Sequence, residues 1–280
     1  MNIIIIMKRT FNLFLSVFAV LSLGLVSCAT TSTTSAGVVG ADRTQLMLVS
    51  EEEMEASANE SYAQVLSEAK ANKTLNTNPS TTKRVQNIAN RLIAQVGAFR
   101  EDALGWDWQV NVITDETVNA WCMPGGKIVV YTGIIESLDL NDAQLAAVMG
   151  HEIAHALREH SREQASRTAL TNAGVSAISS LAGFGEVGTS MVGLAAQYTL
   201  ELPFSRSHET EADHIGTELM ARAGYDPNEA VNIWKKMAAM GGASVPQILS
   251  THPSHETRIK DLEQICLKVY PLYEASNKSN

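Results

Sequence analysis

Apolar residues recur at helical spacing along most of this chain. Ser50 and Glu53 form a capping-box pattern, which is typical of the first turn of a helix. The helix that follows would carry on one side Met54, Ala58, Val65, Leu66 and Ala69. The same spacing predicts a second amphipathic helix with the buried positions Val85, Ile88, Leu92 and Val96. Further helices are predicted over residues 142–160, after Asp226-Pro227, and over residues 255–269.

Two other stretches have patterns that favour strands. Trp106, Trp108, Val110 and Val112 alternate with polar residues, as in a half-buried strand. Residues 118–123 and 127–132 flank Met123-Pro124-Gly125-Gly126, and this turn sequence predicts a β-hairpin. We therefore expect an α+β fold that is mostly helical with a small sheet. Residues 46–280 are enough to bury one sizeable core.

The predicted helix at 142–160 contains the sequence His151-Glu152-Ile153-Ala154-His155. Positions four apart share a helix face, so both imidazoles can reach one metal ion, and Glu152 can face a water on that metal. Two ordinary surface histidines would be the alternative. Gly150 interrupts the helix formers, and we expect it to admit the close approach of another backbone. His160 would lie on the opposite side of a continuous helix, away from that metal.

A third ligand is expected because catalytic zinc usually has three protein ligands and a water. The acidic run at residues 207–214 places Glu209 and Asp213 four apart, on one helix face. One of them can bind metal while the other hydrogen-bonds a ligand histidine. Glu211 would point elsewhere. A solvated acidic helix start explains the same run, so the spacing alone leaves both readings open.

The motifs together resemble those of the forty-eighth metallopeptidase family, which holds the CAAX prenyl endopeptidases, HtpX-like proteases and BepA-like periplasmic proteases. H-E-x-x-H is followed by Glu209-Thr210-Glu211-Ala212-Asp213, which matches the family's E-x-x-A-D. The resemblance spans roughly residues 80–265. It implies a zincin-type (gluzincin) domain with one zinc ion per chain. It also implies that His151, His155 and Glu209 are the ligands, Asp213 orients a histidine, and Glu152 is the catalytic base.

The resemblance extends to a C-terminal element, Thr251-His252-Pro253 with Arg258 six residues after the histidine. By resemblance, Arg258 is a candidate oxyanion donor, and the loop of His252 lies close to the zinc. His252 would then either occupy the open coordination position and hold the enzyme inactive, or assist the transition state. Capping of the last helix is the alternative. The substrate is expected to extend the sheet at its edge strand, which is formed by Asn119, Ala120, Trp121, Cys122 and Met123.

The chain begins with the features of a bacterial lipoprotein. Lys8-Arg9 precede an apolar run that ends in Leu25-Val26-Ser27-Cys28, which resembles a lipobox. We expect residues 1–27 to be a signal peptide, Cys28 to be lipidated and residues 28–45 to be a flexible tether. An uncleaved anchor is the alternative. Ala29 is not the aspartate that retains enterobacterial lipoproteins at the inner membrane, so we expect an outer-membrane lipoprotein that faces the periplasm.

Residues 168–198 are rich in Ala, Gly, Ser and Leu, and the comparable region of membrane-bound relatives crosses the bilayer. Glu186 lies in the middle of this run, and a charge at mid-bilayer is costly. We therefore predict a pair of soluble helices that cover the active site, rather than a membrane span.

The formal net charge of the 280-residue chain is −9, without a basic cluster. This argues against nucleic acid as a partner. Apart from Cys28, the cysteines are Cys122 and Cys266. They can form one disulfide, but we favour two buried thiols.

These features predict a zinc-dependent endopeptidase of the bacterial envelope that cleaves unfolded or misfolded envelope proteins. Two other classes stay open: a chaperone-like or latent zinc-binding protein, and a hydrolase of peptidoglycan cross-links. Glu152 argues against a purely structural zinc site, which has no use for a carboxylate there. The sequence identifies no protein partner in the envelope.

Overall fold

The computed structural model describes residues 30–181, 193–240, 246–253 and 256–278. The helices are α1 Glu51–Ala71, α2 Pro79–Ile93, α3 Thr132–Ser137, α4 Asp142–Leu157, α5 His160–Leu181, α6 Leu194–Ala196, α7 Arg206–Arg222, α8 Asn228–Ala239, α9 Gln247–Thr251 and α10 Glu256–Lys278. The strands are β1 Thr30–Thr31, β2 Gln45–Leu46, β3 Gln109–Ile113, β4 Ala120–Met123 and β5 Lys127–Tyr131. Two 3₁₀ turns, Val96–Ala98 and Asp102–Gly105, and a π-helix, Gln197–Glu201, complete the described part. The mostly helical α+β fold is confirmed.

Local sequence determines where the main helices begin. The capping boxes Ser50–Glu53 and Asn141–Gln144 are both formed, at the starts of α1 and α4. They satisfy backbone N–H groups that would otherwise have no partner within the helix. Asp226 accepts a hydrogen bond from the backbone N–H of Asn228 at the start of α8. The predicted helix at 255–269 is observed as α10, which continues to Lys278.

The three longer strands form one small mixed sheet in the order β3-β5-β4. β3 runs parallel to β5, whereas β4 and β5 form the predicted antiparallel hairpin. Gly125 and Gly126 have φ values of 75° and 81°, a region that favours glycine. The predicted strand over 106–112 is wrong at its start. The chain enters β3 only at Gln109, because the backbone N–H groups of Trp106 and Trp108 donate locally, to Ala103 O and Trp106 O.

A pair of glycines brings α4 and α7 into close contact at the centre of the fold. A Cβ atom on Gly150 would lie 2.9 Å from the backbone oxygen of Gly216, and one on Gly216 would lie 2.7 Å from the backbone nitrogen of His151. Real Cβ atoms do not approach other atoms so closely, so any side chain here would force the two helices apart. The expectation that Gly150 admits another backbone is confirmed.

The helix that carries the H-E-x-x-H sequence is shorter than predicted. α4 ends at Leu157 rather than near residue 160, because Glu159 adopts a left-handed backbone conformation with φ 51°. A new helix, α5, begins at His160. The continuous helix assumed for His160 is therefore wrong, although His160 is not among the residues that could hold the metal.

Residues 30–45 are not the flexible tether that the sequence predicted. β1 pairs with β2, Val39 and Ala41 are buried, and the backbone N–H of Ser35 donates to Phe99 O at 2.7 Å. The hydroxyls of Ser32 and Thr34 accept hydrogen bonds from the buried guanidinium of Arg158, both at 3.1 Å. Small polar residues that suggested flexibility thus serve as acceptors for a buried cation. The predicted signal peptide and Cys28 lie outside the described residues.

The Ala- and Gly-rich stretch 168–198 is helical where the structure describes it. α5 extends to Leu181, and α6 continues directly into the π-helix, while residues 182–192 lie outside the described part. Among the described helices, none has the length and apolarity needed to cross a membrane.

Both described cysteines are free thiols. Cys122 lies in β4 and Cys266 in α10, and both side chains are buried. Burial raises the pKa of Cys266 to about 12. The preference for two buried thiols over a disulfide is confirmed.

Candidate zinc centre

Helix α4 places both histidines of the H-E-x-x-H sequence on one buried face. The Nε2 atoms of His151 and His155 lie 3.1 Å apart, and both side chains are only 3–4% exposed. A Nε2–Nε2 approach of this kind is expected when both lone pairs point at one ion. Helical spacing therefore produces the predicted pair of ligands.

Helix α7 supplies a carboxylate to the same point. Glu209 Oε2 lies 3.5 Å from His151 Nε2, and Glu209 Oε1 lies 3.4 Å from His155 Nε2. Burial alone would raise the pKa of Glu209, but the imidazoles of His252, His151 and His155 lower it well below its ordinary value. The structure thus places Glu209 at the imidazoles, whereas Glu211 points away, towards His160 and Arg158.

A third imidazole, that of His252, completes the cluster. His252 Nδ1 lies 3.3 Å from His151 Nε2 and 3.0 Å from Glu209 Oε1. His252 directly follows α9, and its side chain faces the cluster. The structure therefore places His252 beside the three predicted ligands.

The cluster has the dimensions of a tetrahedral zinc site. Ligand atoms about 2.0–2.2 Å from a zinc ion are about 3.3–3.6 Å from each other in a tetrahedron. The ligand atoms of His151, His155, Glu209 and His252 all lie within 4.8 Å of one another, and all four residues are buried. Two neutral imidazoles and a carboxylate are also the donor set that zinc prefers. The residues therefore fit a zinc ion.

Asp213 orients one of the ligands, as predicted from its spacing with Glu209. Its Oδ1 atom lies 3.0 Å from His151 Nδ1, on the side of the ring that faces away from the metal position. A carboxylate at this position fixes the ring's tautomer and makes the other nitrogen a stronger ligand.

The structure places Arg258 against the two carboxylates of the site, and its role as an oxyanion donor stays a prediction. Its guanidinium forms two hydrogen bonds to Asp213, at 2.8 and 2.7 Å, and an ion pair of 2.6 Å to Glu209 Oε2. A further N–H donates to Pro253 O at 3.1 Å. The guanidinium thus donates three hydrogen bonds, and its positive charge lies between the two buried carboxylates. Arg258 holds these carboxylates in position.

Two aromatic residues that the sequence reasoning did not assign also line the site. Trp234 from α8 lies edge-on to His151, with ring centroids 5.4 Å apart, and Arg258 lies 3.9 Å above its ring. Phe204 packs against His155, with ring centroids 4.1 Å apart. The helix predicted after Asp226-Pro227 does not reveal the contact of Trp234 with His151, since periodicity indicates burial but not the buried partner.

The imidazole of His155 contacts a second histidine on its far side. His155 Nδ1 lies 3.0 Å from His160 Nδ1, and His160 Nε2 lies 3.0 Å from Glu211 Oε2. Burial, and then the nearby His208 and His155, lower the pKa of His160 well below its ordinary value. A neutral His160 has one nitrogen that accepts a hydrogen bond and one that donates.

Glu152 lies beside the cluster with its side chain only 4% exposed. Burial raises its pKa, while the neighbouring His252 and His151 oppose the shift. A carboxylate with a raised pKa binds a proton more readily near neutral pH, which suits a group that must take up and release one. The position agrees with the predicted general base.

The predicted substrate strand lies at an edge of the sheet, but that edge is covered. Ala120, Trp121, Cys122 and Met123 are each at most 2% exposed. Tyr198 of the π-helix packs in the same apolar cluster as Trp121 and Met123. The backbone N–H of Ile248 in α9 donates to Val118 O at 3.2 Å, just before the strand. Substrate pairing at this strand stays a prediction, and it requires these covering elements to move.

A family model described as Peptidase family M48 matches residues 79–266, which include the hairpin, both ligand helices and the start of α10. The chain belongs to peptidase family M48. Its members use zinc, so the fitted metal is zinc. The resemblance inferred from the motifs and the zincin-type fold are thereby confirmed.

The relatives of this chain include mitochondrial proteases and a bacterial protease. The chain is 38% identical over 210 residues to the mitochondrial metalloendopeptidase OMA1 of Schizosaccharomyces pombe, which covers 74% of this chain and 59% of that protein. It is 41% identical over 160 residues to OMA1 of Arabidopsis thaliana. This match covers 57% of this chain and 32% of that protein. It is 28% identical over 210 residues to the beta-barrel assembly-enhancing protease of Yersinia pestis. This match covers 71% of this chain and 42% of that protein. The chain thus spans between about a third and three fifths of these proteins.

Proposed function

We propose that this protein is a zinc-dependent endopeptidase of the bacterial envelope that cleaves unfolded or misfolded envelope proteins. The observation that supports it best is the buried Glu152 carboxylate beside the converging side chains of His151, His155 and Glu209. A purely structural zinc site would have no role for that carboxylate.

The residues of the site have different roles in the proposed peptide hydrolysis. His151, His155 and Glu209 would hold the zinc, which when bound lowers the pKa of water towards about 7 and polarises the substrate carbonyl. Glu152 accepts the proton of the attacking water and later delivers it to the leaving amine. Asp213 and Arg258 keep the ligands in place through the contacts described above.

Substrates of varied sequence suit the sheet edge at β4. A peptide that extends a sheet is bound mainly through its backbone, so affinity depends little on side chains. An unfolded segment presents such a free backbone along its whole length. This supports unfolded polypeptides as substrates, and the bacterial relative named above makes the envelope a fitting location.

Replacing the native enzyme in cells by the Glu152→Gln variant tests the substrate class. Envelope proteins that the wild-type enzyme removes should accumulate and be captured with the variant, because it retains its ligands but lacks its base. Quantitative mass spectrometry of both strains measures this. If only cytoplasmic proteins or no proteins accumulate, the envelope role is wrong. If peptidoglycan cross-links accumulate instead, the cell-wall hydrolase is the better assignment.

The covered site and the place of His252 support a latent resting state. A neutral imidazole is a good zinc ligand, so His252 would exclude the catalytic water while its loop is closed. The enzyme would act only when substrate or a partner moves this loop. An open state that is a few kcal/mol higher would be populated at about 1%.

The His252→Ala variant is expected to cleave unfolded substrates faster than the wild type while its zinc content stays at about one ion per chain. His214→Ala is a suitable control, because His214 pairs with Asp261 at 2.6 Å outside the cluster. Cleavage of casein and elemental analysis measure the two properties. Loss of turnover with zinc retained would instead show that His252 serves the transition state.

The proposed location at the outer membrane rests on Leu25-Val26-Ser27-Cys28, which resembles a lipobox. If Cys28 carries lipid, the mature protein should partition into detergent, since two acyl anchors give stable membrane attachment. The Cys28→Ser variant should stay unprocessed or become soluble, whereas Cys122→Ser should behave like the wild type. Native protein found free in the periplasm, cut at another site, would contradict the lipoprotein assignment.

A further inference from the structure

The two ligand histidines are held in different ways. Asp213 lies directly against His151 Nδ1 at 3.0 Å, which is the common arrangement in which a carboxylate orients a zinc-binding imidazole. The corresponding atom of His155 meets an imidazole instead, at 3.0 Å from His160 Nδ1. A carboxylate follows one step further on, because His160 Nε2 lies 3.0 Å from Glu211 Oε2.

Metal binding determines which ring nitrogens carry protons in this hydrogen-bond chain, which runs from His155 through His160 to Glu211. His155 directs Nε2 at the metal position, so a neutral His155 carries its proton on Nδ1. The atom that faces this proton is His160 Nδ1, which must then accept. His160 in turn carries its own proton on Nε2 and donates it to the carboxylate of Glu211. Each hydrogen bond therefore has a defined direction that ends on a negative charge.

The final carboxylate is firmly anchored. Arg43 donates to Glu211 Oε1 at 2.7 Å and to Oε2 at 3.1 Å. Arg158 donates to Oε2 through two nitrogens, both at 3.2 Å. Both His160 and Arg158 are fully buried. Buried polar groups of this kind are stable only when each has a partner, so the hydrogen-bond chain has little freedom to rearrange.

Arg43 links this hydrogen-bond chain to the N-terminal segment, residues 30–46. The same guanidinium forms two hydrogen bonds to Glu163, at 2.7 and 2.8 Å, and Gln45 donates to Arg158 O. The segment that the sequence predicted to be a tether thus lies behind a zinc ligand and helps to fix its support.

We propose that His160 is a positioning residue of the zinc centre: its Nδ1 accepts a hydrogen bond from the Nδ1–H of His155, and its own Nε2–H donates one to the anchored Glu211. It holds the ring of His155 in one tautomer and one orientation. Loss of such outer hydrogen bonds typically costs 10–100-fold in metal affinity. His160 does not touch the substrate, so its effect is on the metal rather than on a step of the reaction.

Three variants of the full chain test the proposal. His160→Leu removes the acceptor, while His160→Asn retains an oxygen close to the position of Nδ1. His208→Leu is the matched control, because His208 is also buried and stacks on His160 with centroids 4.4 Å apart. Its Nε2 pairs with Glu163 at 3.3 Å and not with a zinc ligand. Zinc affinity is measured by competition with a chelator, and Co²⁺-loaded protein reports the ligand geometry through its visible absorption.

His160→Leu should bind zinc about 10–100-fold more weakly than the wild type and should shift the Co²⁺ bands. His160→Asn should restore most of the affinity, and His208→Leu should change neither property. The proposal is overturned if folded His160→Leu binds zinc as tightly as the wild type. It is also overturned if all three variants lose affinity equally, which would indicate a packing effect. Neither readout involves peptide cleavage, so the result is independent of the proposed substrate and location.

Discussion

The Glu152→Gln variant is expected to retain its fold and its zinc but to cleave unfolded casein at least about 100-fold more slowly than the wild type. Glutamine keeps the shape of the side chain but cannot accept the proton of the attacking water, and losing a general base has this effect. Cleavage rates, zinc content and thermal unfolding of both proteins measure the three properties.

Glu136→Gln serves as the control for this change, since Glu136 is exposed and lies outside the cluster. It should cleave casein at the wild-type rate. The comparison should also be made in the His252→Ala background, so that a latent wild type does not hide the effect. Equal rates for Glu152→Gln and its parent would refute the role of Glu152 as the base.

The His151→Ala and Glu209→Ala variants are each expected to lose most of their zinc. Each change removes one of three protein ligands, and three are needed to hold a catalytic zinc ion. Elemental analysis of purified residues 29–280 after dialysis measures the metal content, with about one zinc per chain expected for the wild type.

Glu211→Ala is the matched control for Glu209→Ala, because both carboxylates belong to one turn of α7 and are buried. Glu211 supports His155 only through His160, so this variant should still bind about one zinc when the ion is in excess. If Glu211→Ala removes the zinc and Glu209→Ala does not, the third ligand has been assigned wrongly.

Much of the ligand set was predictable, because it depends on short-range helix geometry. His151 and His155 share a face through the spacing of four, and Glu209 and Asp213 share a face for the same reason. The capping boxes at Ser50 and Asn141 were equally local. Spacing alone did not identify the ligand in this acidic run; the resemblance to the family selected Glu209 over Glu211.

What the sequence did not show depends on contacts between distant segments. Arg43 meets Glu211 across 168 positions of the chain, and nothing near Arg43 indicates this partner. The left-handed backbone at Glu159 ended α4 early and turned His160 towards His155, although glutamate is not a residue that usually ends a helix this way. For Arg258 the pattern gave its proximity to the site but not the contacts of its N–H donors with Asp213 and Glu209.

The most direct test of a zinc-dependent endopeptidase is a zinc titration of metal-free residues 29–280, with casein cleavage measured at each step. It should be done for the wild type and for His252→Ala. The expected result is that cleavage is absent without zinc, rises in proportion to the added ion and levels off at about one zinc per chain. Cleavage by the metal-free protein would contradict this account, and so would one firmly bound zinc per chain with no cleavage by either protein.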